Sequence, residues 1–484
     1  MVEKSLGINM KISIKKISFF IFGLSFSVST NCQTTIIDKQ ILSPEDFIAI
    51  VKAYHPVIKQ ADINIRKASA EITIARGGFD PSFYLGSEQK TFDGKNYYQY
   101  TNPELKIPTW YGIEVKAGLE DNGGQFLNSE TSLGQTSYIG IAVPLAKNLV
   151  MDKRRAVLQQ SKIFKSLSEA ERLNIVNDLI FDAYAGYWNW VKEYQVYNVV
   201  TNAVLVNEER FNLVKIGFRQ GDRPAIDTIE ALAQLQTFQF LQSESALKLQ
   251  NSALELSNFL WQQNNTYYQL TSSVVPAAKW NEQAIDALPV AVVDEVLYLA
   301  KLTHPKLRMF NFKLDILEVE RKLKFQSLLP LVNIKTNLLN KGYNVFKNGS
   351  ANFYENNYKF GVDIGMPLRL SEGRGGYRLA KLKIQETNYA QLLQQQSIEN
   401  KIRFYYNEII GLRQQIKIYE NTYRNFQALF RGEDIRFKAG ESSLFLLNSR
   451  ENKVLEALQK LVELKTKFYK SEAALLWAAG QLGL

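Results

Sequence analysis

The chain has 484 residues, 46% of them apolar and 22% charged, with a formal net charge of +10 at pH 7, enough for two or three ordinary domains. One cysteine (Cys32) and two histidines (His55 and His304) exclude a disulfide framework and any cysteine-based metal site. Acid–base or metal chemistry would have to rest on carboxylates almost alone. No nucleophile–base set, metal-ligand spacing or phosphate loop stands out, so neither catalysis nor a cofactor is expected.

The first element is a leader. Lys4, Lys11, Lys15 and Lys16 precede the apolar run ISFFIFGLSFSV at residues 17 to 28. The run is too short and wrongly flanked for a transmembrane helix and reads as a secretory signal peptide spanning 1–32. Its end is ambiguous. TNC suits ordinary cleavage, whereas STNC makes a poor lipobox, because Asn31 stands where a small residue belongs. Cys32 stays a candidate for lipidation. Either way the mature chain leaves the cytoplasm, which disfavours nucleic acid as a partner and leaves the positive charge as a solvated helix face.

The remainder is written twice. His55-Pro56 recurs as His304-Pro305, and Pro81 recurs as Pro330, both at a spacing of 249. YIGIAVPLAKN around Pro144 answers YKFGVDIGMPLRL around Pro367, and FRQGDRPAIDTIEA answers FKAGESSLFLLNSR. Two structural repeats follow, 33–288 and 289–484. Each holds a helix, strands (82–146 and 330–368), a very long helix, a hairpin tip (near 221 and 440) and a returning helix. A linker at 263–288 joins them.

Taken in order, a helix of about 36 residues precedes Pro81, and a helix of about 64 residues runs from about Lys153 to Ile216, roughly 95 Å long. Leu173, Ile175, Val176, Leu179 and Ile180 in it have helical spacing. Each His-Pro reads as a helix opening, since proline suits a first turn. GFRQGDRPAID, residues 217 to 227, interrupts the pattern with one sharp reversal. In the second repeat, GRGG at 373–376 lacks the Lys-Ser/Thr of a phosphate loop and reads as a flexible strand-to-helix joint before a helix from about Gly376 to Lys438. Two short helices end to end match one long one. To this point a coiled-coil rod fits as well.

The strands argue against a rod. Ile113, Val115, Ala117 and Leu119 alternate with Glu114 and Lys116; Ile139, Ile141 and Val143 repeat the pattern. Val332, Ile334, Thr336 and Leu338 oppose Asn333, Lys335 and Asn337, and Phe360, Val362, Ile364 and Met366 oppose Lys359 and Asp363. Aromatics gather beside them: Tyr97, Tyr98, Tyr100, Trp110 and Tyr111, then Tyr343, Phe346, Phe353, Tyr354 and Tyr358. An apolar outer face, a wet inner face and aromatic girdles describe a transmembrane barrel. Each repeat enters and leaves its strands from the same helical side, so strands come in pairs: four, or slightly more, per chain. Four cannot close a barrel, and lipid tolerates no open edge. Copies must therefore combine, and three give a twelve-stranded cylinder. The first repeat carries extra residues near Lys95 to Leu119, an enlarged external loop or an added hairpin.

By its duplicated plan, HP openings, prolines at the strands and paired glycine turns, nearly the whole mature chain resembles the TolC-like outer membrane efflux family. The resemblance implies a mainly α chain, internally duplicated, with long helical hairpins and a transmembrane β-barrel closed as a homotrimer. It implies a passive exit duct of a tripartite efflux or type I secretion system, in outer membrane lipid and reaching through the periplasm. Its partners would be a periplasmic adaptor (membrane fusion) protein and an inner-membrane pump. The tips would form the aperture and the adaptor-docking surface, through Gly221, Arg223, Asp227, Glu230, Gly440, Glu441 and Asn448. Asp227 matches an acidic aperture position of the family, or else complements its helix dipole. The second tip departs, with Leu446 there and Ser449 beyond it. The alternatives are a periplasmic coiled-coil structural or adaptor protein, which leaves the strands unexplained, and a secreted enzyme, which lacks a catalytic set.

Overall fold

The computed structural model describes residues 40–277, 292–343 and 357–483. Cys32 and the leader, linker residues 278–288, and Phe346, Phe353 and Tyr354 lie outside the described residues.

Eight helices and eight strands are described: α1 (Pro44–Tyr54), α2 (Pro56–Gly77), α3 (Lys153–Gln220), α4 (Ala225–Ser257), α5 (Val293–Thr303), α6 (Pro305–Gln326), α7 (Ser371–Lys438) and α8 (Leu444–Ala478). α3 and α7 have 68 residues each, about 100 Å at 1.5 Å per residue. The helices expected before Pro81 and Pro330 are each broken in two at a His-Pro step. Proline pushes the preceding residue into extended geometry, here with His55 at ψ 131° and His304 at ψ 123°. Each ring Nδ1 then accepts an N–H of the new helix, from Val57 at 3.3 Å and Lys306 at 3.1 Å. Burial lowers the pKa of His55 and pushes that of His304 down to about 4, so both rings stay neutral and able to accept.

The GRGG stretch is helix, not a joint: α7 already begins at Ser371. A Cβ on Gly373 would come within 2.6 Å of the Ser327 carbonyl oxygen, so the glycine lets the end of α6 approach α7.

α3 packs against α2, α4, α6 and α8, while α7 packs against α5, α6 and α8. The helices thus form four columns side by side, in the order α2 with α4, then α3, then α6 with α8, then α7. The main core lies along the middle of the long helices, where Phe47, Tyr187, Trp190, Leu256, Ile402 and Phe468 meet. A short parallel pair, β1 (Gln40–Leu42) with β6 (Val274–Pro276), closes over this waist. Nothing in so short a pattern announced it. Among the described residues no helix is long and apolar enough to cross a membrane.

Six strands make one antiparallel meander: β2 (Ser82–Phe92), β3 (Lys95–Pro108), β4 (Glu114–Gly123), β5 (Gly134–Pro144), β7 (Leu331–Lys341) and β8 (Tyr358–Gly365). The sheet thus holds slightly more than four strands, through an added hairpin. The extra residues of the first half form a hairpin, closed by Asp93 and Gly94 at φ 50° and 71°, the positive pair that favours a tight two-residue turn.

Candidate functional site

At the first tip, α3 ends at Gly221 with φ 84°, a left-handed value that costs glycine least. The Gly221 and Asp222 amides donate back to the Phe218 and Gly217 carbonyls at 3.1 and 2.9 Å, satisfying the last turn. Asp227 lies in the first turn of α4 and pairs with Arg223 at 3.3 Å. The Arg223 guanidinium sits 4.0 Å from the ring centre of Phe437, at the end of α7, a cation–π contact. One arginine therefore neutralises the acid of its own hairpin and clasps the other hairpin.

The second tip repeats the backbone and changes the side chains. Gly440 has φ 78°, and the Gly440 and Glu441 amides donate to Phe437 and Arg436. Glu441 is exposed. Ser443 caps α8 by accepting the Leu446 amide at 3.3 Å, a cap the first tip lacks, since Pro224 stands there. Glu433 accepts from the Ser442 hydroxyl.

Between the tips, Asn448 is 6% exposed and donates to Glu230 at 3.3 Å. Arg210 donates to both carboxylate oxygens of Glu451 and to Asn207, a bidentate, charge-assisted grip. Of the expected residues, Arg223 and Asp227 come together, as do Glu230 and Asn448, the latter inside the chain between hairpins. Arg210, Glu451 and Phe437 went unseen, because one arginine among glutamates on a long helix carries no positional signal.

At the other end, the sheet divides into two faces. Val115 opposes Ile141, Ile334 opposes Val362, and Val332 opposes Ile364. The opposite face carries Lys106 paired with Glu114, Lys116 with Glu104, and Lys335 with Asp363. Tyr138 adds its hydroxyl to Glu104 at 2.6 Å. Aromatics mark both levels. Phe79 and Trp110 stack at 4.2 Å beside the helices, while Tyr97 meets Phe126 at 4.9 Å near the far turns.

Residues 296–481 match the family model described as outer membrane efflux protein. This part of the chain is similar to the outer membrane efflux proteins. The efflux-protein region covers α6, α7 and α8 and both strands β7 and β8, together with most of α5. The proteins of that family model are described as lying in the outer membrane. No curated protein matches the chain.

Solved structures extend the likeness of fold beyond the efflux-protein region. The CmeC outer membrane channel of Campylobacter jejuni is similar at 15% identity and TM-score 0.63, over 90% of this chain and 85% of that one. The outer membrane protein VceC of Vibrio cholerae is similar at 14% identity and TM-score 0.61, over 90% and 96%. The open state of the Neisseria gonorrhoeae MtrE outer membrane channel is similar at 15% and 0.61, over 94% of each. The TolC-like resemblance read from the sequence therefore holds.

Proposed function

We propose that this chain is one of three copies forming a passive exit duct, an efflux channel whose barrel stands in the outer membrane and whose helices cross the periplasm. In this reading a signal peptide (1–32) precedes two repeats (33–288 and 289–484), and the duct receives its cargo from an inner-membrane pump through a periplasmic adaptor. The supporting observation is a match of open edges. The helical layer ends in α2 with α4 on one flank and in α7 on the other, while the sheet ends in β2, which follows α2, and β8, which leads into α7. Both layers are thus open on the same two sides. A head-to-tail copy covers α7 with the next α2 and α4, and β8 with the next β2, and a closed ring leaves no edge for lipid. The flanks carry apolar side chains that a monomer leaves in water, among them Phe240 and Leu247 on α4 and Tyr389 and Leu393 on α7.

The tips, with Gly221, Arg223, Asp227, Glu230, Gly440, Glu441 and Asn448, serve as aperture and adaptor-docking surface. Three copies of Asp227 near one axis repel unless each keeps its cation, and Arg223 is that cation. Adaptor docking that draws Arg223 from Asp227 and Phe437 opens the tip. Two measurements test this. Native mass spectrometry in detergent is expected to give three copies, and a stable soluble monomer would sink the closed ring. Single-channel recording of Asp227→Ala is expected to show altered conductance and cation sensitivity with the three-copy mass retained; an unchanged trace would leave Asp227 as a helix-end charge.

A further inference from the structure

The hairpin β2–β3 starts and finishes at the helical end of the sheet. β2 begins at Ser82, directly after α2. The turn from β3 to β4 returns to the same level: Trp110 stacks on Phe79, and Thr109 takes the Ile113 carbonyl through both its amide and its hydroxyl. A Cβ on Gly112 would meet the Asn148 carbonyl oxygen at 3.2 Å, just ahead of α3. An external loop would begin and end at the far side. This hairpin instead runs the whole height of the sheet and back. Its strands have 11 and 14 residues, against the 9–11 or so that a tilted strand needs to cross a bilayer.

Its two faces continue those of its neighbours. Phe83 pairs with Leu105 and Leu105 with Ala117, while Ile107 pairs with Val115, all on the apolar side. On the other side Glu104 and Lys106 form ion pairs with Lys116 and Glu114. We infer that β2 and β3 are spanning strands of the barrel wall, and that the free edge of β2 receives β8 of a second copy. Resting on the three-copy reading, six strands per copy make eighteen in all. With strands about 4.8 Å apart and tilted about 40°, eighteen give a barrel about 36 Å across, and twelve about 24 Å. The exit then adds no size filter for solutes that have passed the tips, and its lining of alternating charge suits bulky, hydrated cargo.

A spin label at Lys359→Cys on β8, in a Cys32→Ser background, reports the width. In three copies the label-to-label distance is expected near about 31 Å for eighteen strands and about 21 Å for twelve. The shorter value in an assembly of three overturns the inference. A strand count in a cryomicroscopy map of the unmodified assembly needs no variant: six per copy supports it, and four with β2–β3 outside the wall overturns it. Six per copy in an assembly of another size would overturn the three-copy reading and keep this one.

Discussion

The waist and the tips are held by different forces. At the waist Phe47, Tyr187, Trp190 and Phe468 interlock with aliphatic residues from both long helices. At the tips one small cluster remains, Val214, Ala231, Phe437, Leu444 and Leu447, and polar links take over: Arg210 to Glu451, Arg223 to Asp227, Asn448 to Glu230. Dense apolar packing yields as a unit, whereas hydrogen bonds and ion pairs exchange partners one at a time. A duct with a fixed middle and an adjustable end would be built in this way.

The largest effect is expected at the waist. Phe468 is fully buried, and Phe468→Ala is expected to cost about 3–5 kcal/mol through lost burial and a cavity. Thermal unfolding in detergent, followed by circular dichroism, measures it, and a change below 1 kcal/mol would mean the waist is not the rigid part. Next comes the tip pair. Glu451→Gln strands a mostly buried Arg210 and is expected to cost about 3 kcal/mol, while Arg210→Met with Glu451→Leu returns most of it. Amide exchange along residues 444–451 reads the local effect, and equal exchange in all three proteins would remove the pair from the account. The smallest effect belongs to the turns. A Cβ on Gly221 or Gly440 meets no atom within 4 Å, so alanine there pays only for its left-handed backbone, about 1–2 kcal/mol. Exchange at the tip amides is expected to quicken roughly tenfold in each variant, with the waist unchanged.

Much of this was legible beforehand because it rests on period and punctuation. The alternation from Glu114 to Leu119 placed a two-faced strand, and Gly221 and Gly440 placed both reversals, since few other residues suit a positive φ. The extra hairpin was half legible: the surplus length showed, but polar stretches such as Ser87 to Lys90 hid the fact that β2 spans the sheet. Arg223 and Asp227 stand only four residues apart, so their pairing is local. Arg210 and Glu451 lie 241 residues apart, and only the packing of α3 on α8 brings them together.

The clasp of β1 on β6 bears on how the chain is made. Gln40–Leu42 stands first among the described residues, yet its partner is Val274–Pro276, and Tyr187 donates its hydroxyl to the Leu42 carbonyl at 2.8 Å. Delivered from its N-terminus, the chain must carry an unpaired strand edge and an open waist until some 270 residues have emerged. Loop closure over such a length slows assembly far more than it weakens the finished structure. The clasp thus sets a timetable: the early helices cannot finish packing before the middle of the polypeptide has arrived to fasten them.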